Sequence, residues 1–220
     1  MSDKIIETNQ AAILGIIETP FTYSHEVYGE RFYKIEVSVE RTSGRIDCIP
    51  VIISERIVDV TSDCRLVPVK ICGQIRSFKR YGVQKNKREL FLFARTIEFA
   101  TGGTCQGENN VYLEGIVCKK PTYRETPNGR DIADMVIEVK RSYGKQDYIP
   151  CICWGRDAWF AERFVAGDYV RIEGRIQSRT YKKRISDETE EERIAYEVSV
   201  SRLAKVALGL CVHLCEVGEK

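Results

Sequence analysis

Arg179, Lys182, Lys183 and Arg184 surround Tyr181, and Lys79, Arg80, Lys85, Lys87 and Arg88 surround Tyr81. Phe78 immediately precedes the first-half run. Cations interleaved with flat rings suit contact with a single strand of nucleic acid. The cations track phosphates, and rings stack on bases whatever the sequence. A merely solvated hairpin is the alternative reading, because charge runs usually lie in water. Lys119, Lys120, Arg124 and Arg130 flank another hairpin and could extend a basic groove together with Arg175; ordinary surface charge is their alternative. The run Asp187-Glu188-Thr189-Glu190-Glu191-Glu192 would repel phosphate. Its hairpin tip is expected to point away from the groove or to contact another protein.

Other chemistry is poorly supplied. The nine cysteines are an odd number, which argues against a disulfide framework. No Cys-x-x-Cys pair occurs; Cys211-x-His213-x-Cys215 and Cys151-x-Cys153 come nearest. In a strand, a spacing of two puts Cys151 and Cys153 on one face, which suits a core at least as well as a metal. With only His25 and His213, a hydrolytic metal site or a histidine-based triad lacks material. There is no glycine-rich phosphate loop and no His-x-Glu with paired cysteines. The expectation is a chain without metal, cofactor or enzymatic activity.

The chain has 220 residues, 34 basic and 32 acidic, for a net charge of +2, so any anion site must come from local clustering. No apolar run approaches the ~18 residues of a membrane span, and the first residues lack the apolar core of a signal peptide. A cytoplasmic location is expected.

Positioning these residues requires a scaffold, and the scaffold is repeated. Shifted by one hundred residues, Gly15-Ile16-Ile17 falls on Gly115-Ile116-Val117, and Asp47-Cys48-Ile49-Pro50 on Asp147-Tyr148-Ile149-Pro150. With one extra residue, Val69-Lys70-Ile71-Cys72-Gly73 falls on Val170-Arg171-Ile172-Glu173-Gly174. A constant register across several segments requires duplication. The polar, glycine-rich stretch 101–110 reads as the linker. The expected domains are 1–104 and 105–220.

Each half alternates apolar and polar residues, as at Ile35, Val37 and Val39, and at Met135, Ile137 and Val139. That pattern predicts about five strands per half. Thr126-Pro127-Asn128-Gly129 predicts a hairpin turn, because Asn-Gly accepts positive φ. The stretch Asp157–Phe164 predicts a helix between the third and fourth strands of the second half, with Trp159 and Phe160 in the core. The expected fold is all-β: two tandem OB-fold, five-stranded Greek-key barrels, the second with a helix between its third and fourth strands. Sandwiches also fit the periodicity.

From Asn110 to about Val206 the chain resembles bacterial single-stranded DNA-binding proteins. The resemblance rests on Asn110-Val111-x-Leu113-x-Gly115, Thr126-Pro127-Asn128-Gly129, Trp154-Gly155 followed by Ala161-Glu162, Gly167-Asp168-x-Val170, and Ile172–Tyr181. The first half joins only through its repeat relation, and a subgroup with two OB domains per chain has this architecture. The resemblance implies base-stacking rings at Tyr143, Tyr148, Trp154 and Tyr181; a core role is the alternative for Tyr148 and Trp154. At the first three of these places the first half has Ser43, Cys48 and Ser54, with Phe78 and Tyr81 remaining near its fourth strand. The first barrel is therefore expected to be degenerate, stacking fewer bases.

The implied function is non-enzymatic, largely sequence-independent binding of single-stranded DNA in replication, recombination or repair. The alternative is a primosome-type OB-fold module for protein interaction with weak nucleic-acid binding. A homodimer with four OB domains and a nucleoid-associated location are expected. The final residues, Cys211–Lys220, lack the acidic tail through which the family recruits replication and repair proteins, which puts such partners in doubt.

Overall fold

The structure, a computed structural model, describes residues 8–80, 87–100, 107–141, 144–184 and 190–206; at 79, 80, 87, 88, 182–184 and 190 it describes the backbone alone. Six strands build the first half: β1 (Asn9–Ile17), β2 (Thr22–Val27), β3 (Glu30–Glu40), β4 (Ile46–Ser54), β5 (Pro68–Arg80) and β6 (Lys87–Phe99). The second repeats them as β7 (Glu108–Val117), β8 (Thr122–Glu125), β9 (Asp131–Lys140), β10 (Gln146–Trp154), β11 (Tyr169–Arg184) and β12 (Glu190–Lys205). The expected five per half becomes six because β2 and β8 fold back as short hairpin arms on β3 and β9. Their residues are mostly exposed, so they left little apolar alternation to detect.

The other five strands of each half close a barrel. In the first, the order runs β3–β4–β6–β5–β1, and β1 returns to β3. In the second it runs β9–β10–β12–β11–β7, and β7 returns to β9. All neighbours are antiparallel except β4–β6 and β10–β12. A parallel pair needs a crossover, and in the second half the crossover contains α1 (Arg156–Ala161). This is the OB-fold order, and the sandwich reading falls away. At each closure β1 or β7 passes tightly across its neighbour. A Cβ added at Gly15 or Gly115 would collide with the Ser38 or Glu138 carbonyl oxygen, so these sites take glycine.

Alternation explains the cores. Ile35, Val37, Val39, Ile49, Val51, Ile71 and Leu92 are buried in the first barrel, and Leu113, Ile137, Val139, Ile149, Val170, Ile172 and Val198 in the second. Cys151 and Cys153 are buried core thiols, as their spacing suggested. Burial drives both thiols' pKa values upward, that of Cys153 to about 12. At the β8–β9 turn Gly129 has φ of 71°, in agreement with the Asn-Gly signal. Among the described residues, no helix is long and apolar enough to cross a membrane.

The barrels join within the chain. β1 and β7 pair antiparallel from Asn9 opposite Leu113 to Leu14 opposite Glu108, making one continuous sheet. Two matching clasps flank this seam. Asp47, fully buried, accepts hydrogen bonds from the Ser178 N–H (2.9 Å) and Arg41 Nε (2.6 Å). Asp147, also fully buried, accepts from the Ser77 N–H (2.6 Å) and Arg141 Nε (2.5 Å). The Tyr148 N–H in turn donates to Ser77 Oγ at 2.9 Å, and the Cys48 N–H to Ser178 Oγ at 3.3 Å. The repeated Asp47 and Asp147 thus each tie one barrel to a strand of the other.

Candidate nucleic-acid interface

The side chains that point out of the second barrel from β10 are Tyr148, Pro150, Ile152 and Trp154, because Ile149, Cys151 and Cys153 point in. Trp154 is 38% exposed, and its indole Nε1–H donates to Ser199 Oγ on β12 at 3.1 Å. One edge of the ring is thereby fixed while the ring stays partly open to solvent. Tyr148 is half-buried, and its hydroxyl contacts Gln146 Oε1 at 3.2 Å. A core role for both rings is excluded by this outward direction.

Beside β10, strands β12 and β11 contribute Glu197, Gln177 and Arg179. The Gln177 amide donates to Glu197 Oε1 at 2.9 Å, and Arg179 Nε stands 3.6 Å from the same oxygen. Tyr181 lies farther along β11, half-buried, with the Arg179 guanidinium 5.8 Å from its ring centre. Tyr148, Trp154, Arg179 and Tyr181 therefore share one side of the second barrel. Tyr143 and Tyr81 fall outside the described residues, as does Lys85.

The basic residues sort differently from one another. Lys119, Lys120 and Arg130 are exposed around the β7–β8 and β8–β9 turns. Arg124 pairs with Asp134 at 2.8 Å. Arg175 is half-buried at the seam rather than in an open groove, with Nε lacking a hydrogen-bond partner among the described residues. Burial, then the neighbouring Arg41, holds its pKa below the usual guanidinium value, partly offset by Asp47.

Lys182, Lys183 and Arg184 are described by backbone register alone. They stand opposite Glu192, Glu191 and Glu190 on β12. The tip of that hairpin, with Asp187 and Glu188, lies outside the described residues, and its expected direction away from the groove with it. In the first barrel Lys79 and Arg80 stand opposite Arg88 and Lys87, so like charges face like.

Trp159 and Phe160, expected in the core, are 55% and 37% exposed. Helix α1 has only six residues and ends at Ala161, short of the expected Phe164. Its inward face is Ala158 and Ala161, both fully buried, which leaves the large rings outside. The Trp159 indole donates to Asp131 Oδ2 at 2.7 Å, and Tyr123 meets its ring edge-on at 5.9 Å. Phe78 is 58% exposed on β5.

Residues 108–206 match the model of the single-strand binding protein family, which is nearly the span in which the sequence shows its resemblance. The chain is 35% identical over 80 residues to single-stranded DNA-binding protein A of Bacillus subtilis, an alignment covering 33% of this chain and 46% of that one. It is 36% identical over 80 residues to the single-stranded DNA-binding protein of Oceanobacillus iheyensis, covering 33% and 50%. The chain spans about half the length of these relatives. The crystal structure of the single-stranded DNA binding protein from Thermus aquaticus superposes with a TM-score of 0.73 at 17% identity, covering 91% of this chain and 94% of that one. That likeness establishes the fold, two OB barrels in one chain.

Proposed function

We propose that this chain binds single-stranded DNA without reading its sequence, by stacking bases on Trp154, Tyr148, Tyr181 and Tyr143 and holding phosphates with Arg179 and the basic hairpins. The observation that carries this reading is Trp154, edge-fixed by Ser199 yet partly open, on the face of a barrel that matches the single-strand binding family. Such a chain performs no catalysis; it acts in the cytoplasm, on the nucleoid, wherever replication or repair exposes single strands.

Titration of intrinsic tryptophan fluorescence with oligo-dT tests it. Quenching should appear at low salt and weaken as salt rises, with log K falling by about 0.7 per phosphate contact per decade of salt. Equal quenching by duplex DNA would contradict it. Silence at low salt would favour a protein-interaction module, a reading that the acids Glu190, Glu191 and Glu192, in register opposite the β11 cations, support.

The functional particle is proposed to be a homodimer with four barrels. Within one chain the β1–β7 pairing is already used, so a second copy must meet another face. The outer face of the central sheet offers one. It holds an open groove of about 610 Å³ lined by Ala12, Cys72, Asn110, Tyr112 and Glu173, with Ile16 on the same strand 40% exposed. Light scattering on the eluting peak at micromolar concentration should give twice the chain mass. A mass of one chain would overturn the dimer.

A further inference from the structure

We propose that the first barrel carries its own single-strand-binding surface, moved from the third strand of its barrel to the fourth and fifth. The inference rests on the single-strand-binding reading above and deepens it.

Corresponding positions of the two barrels show a transposition. In the second barrel, Ile152 on β10 is aligned with Ser199 on β12, and Trp154 lies two residues beyond and bonds that serine. In the first, Ile52 on β4 is aligned with Phe93 on β6, and Ser54 lies two residues beyond. Ring and serine have exchanged strands. One outward position earlier, Phe91 stands where the second barrel has Glu197, and Phe78 where it has Arg179. The rings missing from β4, at Cys48 and Ser54, are thus matched by rings gained on β5 and β6. Leu90, Leu92 and Ala94 fill the interior, so Phe91 and Phe93 point outward and are only half-buried.

Phe93 belongs to a row of flat groups. His25 stacks on Phe32 with centres 5.0 Å apart and planes 11° from parallel. Phe32 lies 5.6 Å from Phe93, and the Arg76 guanidinium covers Phe93 at 3.8 Å. Arg76 Nε is buried with no hydrogen-bond partner among the described residues. Burial chiefly lowers the Arg76 pKa, to about 10, so it remains a cation at neutral pH. Guanidinium planes, imidazoles and phenyl rings are all surfaces on which unpaired bases stack. Charge agrees: by backbone register the adjoining strands set Lys79 opposite Arg88 and Arg80 opposite Lys87, a local excess of cationic residues that favours a polyanion. A row of rings ending at such a hairpin fits a single strand better than an apolar protein partner.

Photo-cross-linking of the full chain to bromodeoxyuridine oligonucleotides, with the linked peptides mapped by mass spectrometry, tests the surface. First-half cross-links should fall in 74–80, 87–93 and 25–32. First-half cross-links at 48–54, or none while the second barrel is linked, would overturn the proposal. Absence of links to either barrel would overturn the underlying reading with it. Independently, Phe78→Ala and Phe93→Leu together should weaken binding of an oligo-dT of about 30 nucleotides, which spans both barrels, by about tenfold. Binding of about 8 nucleotides, held by the second barrel, should not change. A thermal transition like that of the parent chain establishes that the variant is folded. Unchanged affinity for the long oligonucleotide in that folded variant would overturn the proposal.

Discussion

Asp147→Ala is expected to destabilise the folded chain by about 3 kcal/mol, the cost of removing one partner from a buried ion pair. The carboxylate is fully buried and carries several obligations at once. It accepts from Arg141 of its own barrel and from both the N–H and the hydroxyl of Ser77 in the other. Its loss leaves the Ser77 N–H without its acceptor and a guanidinium whose side chain is only 24% exposed. A buried donor without an acceptor costs about 1–3 kcal/mol by itself. Asp47→Ala should cost a similar amount, because its contacts to Arg41 and Ser178 repeat those of Asp147. Urea unfolding followed by far-ultraviolet circular dichroism gives both values. A change below about 1 kcal/mol in either variant would show that its clasp does not hold the seam.

Trp154→Ala should leave the fold standing and weaken oligo-dT binding by about 1–3 kcal/mol, or roughly five- to 150-fold. Stability is spared because the ring is 38% exposed and lies outside the core. Binding suffers because a single hydrogen bond to Ser199 already fixes the ring's edge, so stacking costs little side-chain entropy. Trp154→Phe should recover most of the affinity, since a phenyl face also stacks. Anisotropy of a fluorescein-labelled oligonucleotide is the suitable measurement, because Trp159 would confuse intrinsic fluorescence. Parent-like affinity in the alanine variant, or its unfolding, would remove Trp154 from the binding face.

Both barrels were legible in the sequence because two signals reinforced each other. Alternation named the inward residues, and the repeat showed that Asp47-x-Ile-Pro and Asp147-x-Ile-Pro open equivalent strands. What those aspartates do was not legible. Their partners, Ser178 and Ser77, lie 131 and 70 residues away, and nothing local in the chain marks such a pairing. The helix misled for a different reason: an apolar stretch suggests burial, but one and a half turns have room for an inward face of alanines only. At Leu90-Phe91-Leu92-Phe93 the alternation named the inward leucines, and both are buried. What was not legible is the other face: a run apolar throughout gives a strand two apolar faces, and nothing in the sequence says what the outward phenylalanines do.

The β1–β7 seam is made between two stretches of one polypeptide. Barrels on separate chains part on dilution, whereas tethered ones meet at an effective concentration set by the short segment between them. Tethering also releases them from identity. Two copies of one gene product must present the same surface twice, so every improvement to one is imposed on the other. Here Tyr148 and Cys48, or Ser199 and Phe93, could change separately, and they have. The seam has therefore made room for heredity to treat the two halves as different genes while physics continues to treat them as one body.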